Sequence, residues 1–79
     1  MENKNFITSD INLTAFCIAN GIQFIKTFEN HPNRYLFELS NQSTCTELEH
    51  KYLNNAVAPI RAFLSAREML ISQMKNKIK

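Results

Sequence analysis

The stretch that decides the fold is FITSDINLTAFCIANG, running from Phe6 to Gly21. It reads as a short strand, a cap, a compact helix and a stop. Thr8, Ser9 and Asp10 put three capping side chains in a row, and their oxygens suit the free amides of a first helical turn. Asp10 also sets a negative charge at the positive end of the helix dipole. The spacing predicts a helix over residues 10–20. Gly21 is the only glycine in the chain, and it falls where a helix needs a left-handed residue to end.

Ile11, Ala15 and Ile18 lie on one side of this first helix, and Leu13, Phe16 and Cys17 on the other. A helix that is apolar nearly all round is buried on more than one face. It is expected to be central, packed on a sheet and covered by the other helices or by a second subunit.

Working outward, two alternating runs follow. Residues 22–28 alternate Ile22, Phe24, Lys26 and Phe28 against Gln23, Ile25 and Thr27. Residues 34–40 alternate Tyr35, Phe37 and Leu39 against Arg34, Leu36 and Glu38. The cluster 29–33 between them is turn-forming, so the pair is predicted to be a β-hairpin. A strand over residues 4–8 precedes the first helix. Thr44 and Glu47 fit a capping box that starts a second helix, with Leu48, Tyr52 and Cys45 as a narrow apolar stripe and an end near residues 54–55. The last helix begins between residues 55 and 59, because Pro59 is tolerated only in a first turn. It runs to about Lys77. Its residues Ile60, Phe63, Leu64, Leu70, Ile71, Met74 and Ile78 fall within roughly 120° of arc. Arg67 falls inside that arc, and Arg61, Lys75 and Lys79 flank it. The predicted fold is α+β in the order β-α-β-β-α-α: a small antiparallel sheet, made of the short N-terminal strand and the hairpin, with three helices on one face.

The 79 residues make one domain, and a core of that size leaves a marginal monomer. An apolar fraction of 44% excludes disorder. The net charge of +2 permits contact with nucleic acid without demanding it. Charge is concentrated at the C-terminal end: Arg61, Arg67, Lys75, Lys77 and Lys79 follow residue 52, with Glu68 as the one acid. No run of apolar residues reaches membrane-spanning length, and the first residues lack an apolar signal region, so the expected address is the cytoplasm.

Catalytic candidates are wanting. His31 sits in a turn. His50 lies five residues from Cys45, a poor spacing for a shared metal. Cys17 and Cys45 have no evident electropositive setting, and one glycine cannot build a phosphate loop. The expectation is no enzyme, no metal, no cofactor and no small-molecule substrate. Arg67 is the residue of most interest. It either reaches solvent or pairs with Glu38 or Glu47, or else it anchors an interface with Phe63, Leu70 and Met74 around it. Arg34, with Tyr35 and Phe37, raises single-strand binding, but alternation sets Arg34 on the face opposite the two aromatics.

The ordered motifs Thr8-Ser9-Asp10, Leu13, Ala15-Phe16 and Gly21, then Arg34-x-x-Phe37-x-Leu39, Leu48-x-x-x-Tyr52 and Val57-x-Pro59, span residues 6–75. Together they resemble a family of small domains of unknown function from bacteriophage and bacterial genomes. The resemblance implies a phage or mobile-element setting in a bacterial host, where many small proteins are binders. Two functions are carried forward. The first is a non-catalytic accessory protein that binds a protein partner or itself. The alternative is nucleic-acid binding through Arg34, Arg61, Lys75, Lys77 and Lys79.

Overall fold

The computed structural model describes residues 4–32, 34–54 and 57–77. Six elements follow one another: β1 (Phe6–Thr8), α1 (Ile11–Ala19), β2 (Phe24–His31), β3 (Arg34–Leu39), α2 (Gln42–Leu53) and α3 (Ile60–Lys77). This is the expected order. The three strands form an antiparallel sheet in the order β1-β3-β2. β3 is central, which explains its clean alternation: Tyr35, Phe37 and Leu39 are buried, while Leu36 and Glu38 are half-buried on the other face. The smallest dimension of the molecule, 18 Å, fits one layer of sheet and one of helices.

α1 begins and ends as its sequence dictates. Asp10 Oδ1 accepts from the amides of Asn12 and Leu13 at 3.0 and 3.1 Å. At the other end Gly21 has φ +95°. Its amide donates to the Ile18 carbonyl, and the Ile22 amide donates to the Cys17 carbonyl. This paired arrangement of a left-handed residue is a Schellman cap. Five consecutive residues, Leu13 to Cys17, are buried, because α1 is flanked by α2 and α3 and lies over β3. The cover expected over this helix is thus supplied by the chain's own helices. One cluster joins Leu13, Phe16 and Cys17 to Leu39, Cys45 and Leu48. A second joins Ala15 to Phe37, Ala66 and Leu70.

Three local expectations are corrected. β2 runs on to His31, so residues 29–31 belong to the strand rather than the turn, and His31 pairs with Arg34. The simple alternation of β2 is also broken by an irregularity between Phe24 and Lys26. It turns Thr27 into the core opposite Phe37 and sends Phe28 to the outer face opposite Leu36. Finally, α2 starts two residues before Thr44. Asn41 takes the left-handed conformation at φ 63°, and its Oδ1 accepts from the Thr44 amide at 3.3 Å. Asparagine tolerates that conformation at little cost, and the Gln42 amide is held by the Lys4 carbonyl at 2.7 Å. The Thr44–Glu47 capping box does not form.

Candidate interaction surface

α3 packs chiefly on α1, and that docking splits the apolar arc of α3 in two. Leu70 is fully buried, and Phe63 and Met74 are half-buried at its side. Ala66, outside the expected arc, is buried with them at 5% exposure. The other edge of the arc faces away from the molecule: Ile60 is 65% and Leu64 49% exposed, and Ile71 is half-buried. Val57, just before the helix, is 91% exposed. The core therefore takes one flank of the stripe and leaves the other to solvent.

The side chains expected at an interface fare unequally. Leu70 is spent in the chain's own core and presents nothing outward. Phe63 and Met74 stand at the boundary. Arg67 is half-buried, and its Nε donates to Asn12 Oδ1 on α1 at 2.9 Å. Neither Glu38 nor Glu47 is its partner here: a neutral amide holds the guanidinium towards α1. Ile60 and Leu64 were legible as apolar positions, but the direction from which α1 packs is a tertiary fact that a helical wheel does not contain.

The proposed nucleic-acid residues are dispersed. Arg61 and Lys75 are exposed on α3, and Glu68 stands between them at seven-residue spacing. Lys77 closes the helix, and Lys79 lies outside the described residues. Arg34 lies on the hairpin, in the series with Leu36 and Glu38 that faces away from the helices. On that face Glu38 accepts from Asn5 Nδ2 at 2.6 Å and stands 4.0 Å from Lys26 Nζ. Lys26 also lies 5.6 Å from the Phe28 ring centroid.

A cleft of about 490 Å³ opens at the hairpin tip, lined by Ser9, Asn30, His31, Arg34, Tyr35 and Leu36. The two thiols are wholly buried. Burial pushes the Cys17 thiol up to about 12, and the adjoining Cys45 adds to the rise. Cys45 is also raised by burial, against a hydrogen bond from Cys17 that lowers it. It donates in turn to the Ser40 carbonyl at 3.3 Å. Such thiols are inert as nucleophiles at neutral pH. Tyr52, tilted against Phe16 with ring centroids 5.6 Å apart, is raised by burial and by Asp10. No group of three or more His, Cys, Asp or Glu side chains suited to a metal occurs among the described residues. No helix of the described residues is long and apolar enough to cross a membrane.

No family model matches the chain, nor does any curated protein or solved structure.

Proposed function

We propose that this protein is a non-catalytic accessory protein of a bacterial or phage system, acting in the host cytoplasm by binding a protein through the outward flank of α3. One observation carries the reading. Ile60 and Leu64 are exposed one turn apart on α3, half-buried Ile71 continues their line beyond Arg67, and Val57 is exposed just before the helix. Single exposed aliphatic side chains are ordinary on any protein. A continuous row on one helix face is a mark of a surface that meets a partner. The nucleic-acid reading has less support. Glu68 interrupts the basic row of α3, and Arg34 sits on the sheet face turned away from the helices.

The test is site-specific photo-crosslinking in cells, with a benzophenone side chain at position 64 and, as a control, at the exposed position 46 of α2. A discrete protein adduct from position 64 and none from position 46 is expected. Equal labelling from both positions, or none from 64, overturns the reading. The mass of the adduct tells a second copy, which adds 9.2 kDa, from a different partner. An adduct to nucleic acid in its place favours the alternative.

A further inference from the structure

Resting on the reading of α3 as the binding surface, the partner's identity follows from the spacing of its side chains. On α3, Ile60, Leu64, Arg67, Ile71 and Met74 are separated by steps of four and three residues in strict alternation. That is the spacing of a seam between two helices wound about each other. Ile78, the next position in the series, lies outside the described residues. On one side of the seam Phe63 and Leu70 belong to the chain's own core. On the other, Arg61, Glu68 and Lys75 stand seven residues apart, all exposed. We propose that the seam is filled by α3 of a second copy of this chain, running antiparallel.

Charge chooses the second copy and its direction. A parallel pair would set Arg67 against Arg67 in the middle of the seam, two like charges in one layer. The antiparallel pair layers Leu64 on Arg67 of the second copy and Ile60 on Ile71 of the second copy, with each layer repeated by symmetry. In that register Arg61 stands beside Glu68 of the second copy, and Glu68 beside its Arg61. Two opposite-charge pairs thus form from one acid and one base per chain, which is the self-complementarity a two-fold interface demands. Arg67 does not obstruct the seam. Its Nε is tied to Asn12 on the chain's own α1, so its charged end is drawn aside and its methylene stem remains to pack. The seam from Ile60 to Met74 is about 21 Å long at 1.5 Å per residue. So short an interface belongs to the weak class, with a Kd on the order of 10 µM.

Sedimentation equilibrium from about 1 µM to 1 mM tests this on the whole chain, over a range that brackets the expected Kd. Five proteins are compared: wild type, Arg61→Glu, Glu68→Arg, the double exchange and Leu64→Glu. Wild type should dimerise. Each single reversal places like charges together twice and should weaken the dimer by about fivefold or more. The double exchange should restore it to within about twofold, and Leu64→Glu should abolish it. All three substituted positions are on the surface, and the melting curves of the four variants report any loss of fold. A wild type that stays monomeric overturns the second copy but leaves α3 free to bind another protein. A dimer that Leu64→Glu does not disrupt overturns both this inference and the reading of α3. A dimer that Leu64→Glu breaks but the double exchange does not restore overturns the antiparallel register.

Discussion

At the scale of single residues, three positions illustrate how local chemistry fixes the fold. Gly21 has open space where a Cβ would stand, so its requirement is conformational and not steric. Gly21→Val should cost about 1–2 kcal/mol for forcing a β-branched residue to positive φ, and Gly21→Asn should cost less. Chemical denaturation reads both. Equal stability of all three proteins would place the helix stop elsewhere. Thr27 presents the opposite case. The strand irregularity turns its side chain into the core, where Oγ1 has no hydrogen-bond partner among the described residues. Thr27→Val keeps the shape and removes the orphaned hydroxyl, so stability should rise by about 1 kcal/mol. A fall in the urea midpoint would contradict this. Cys17 governs alkaline behaviour. Its thiol titrates near 9 when unfolded and at about 12 when folded, so the folded state holds the extra proton between those values. Stability is therefore intact below pH 9 and lost as pH rises towards 12, by about 1.4 kcal/mol per unit in that window. Cys17→Ala should make this part of the stability–pH curve shallower, with the raised Cys45 and Tyr52 supplying the slope that remains, while lowering stability at neutral pH. A wild-type curve already flat over that window would refute the account. The glycine and Asp10 were legible in the sequence because each acts within its own turn. The inward Thr27 was not, because register irregularities arise from pairing across strands.

At the scale of elements, legibility follows how local the causes are. α1 and β3 stand where their patterns place them: one carries its own caps, and the other has partners on both sides that enforce alternation. α2 is displaced at its start because two competing caps, Asn41 and Thr44, are chemically similar. The decisive contact is the distant Lys4 carbonyl. α3 is found as a helix, but which half of its apolar arc is buried depends on the angle at which α1 meets it. Arg67 links those two helices, and its contribution is testable. Arg67→Ala removes the exposed hydrogen bond from half-buried Arg67 to Asn12 and should destabilise the fold by about 0.5–1 kcal/mol. Asn12→Ala should give a similar loss, and the double variant should lose less than their sum. Strict additivity in that cycle would mean that the 2.9 Å contact contributes nothing measurable.

At the scale of the whole molecule, a small chain has divided its apolar side chains between two tasks. The inward faces of the sheet and helices make two adjoining clusters around α1, and the outward flank of α3 is left over. The class of fold was legible because each element is patterned at its own period. The binding surface was only half legible: the sequence marks the arc, and tertiary packing decides which edge of it remains free. Association is proposed to occur on the row Ile60, Leu64, Arg67, Ile71 of α3. The most direct test is a map of amide chemical shifts as the protein is concentrated from about 10 µM to 1 mM, across the expected Kd. The predicted result is a set of concentration-dependent changes confined to residues 60–75, with the outer sheet face at Ile7, Phe28 and Leu36 unmoved. Changes centred on that sheet face, or an unchanging map across the whole range, would contradict it.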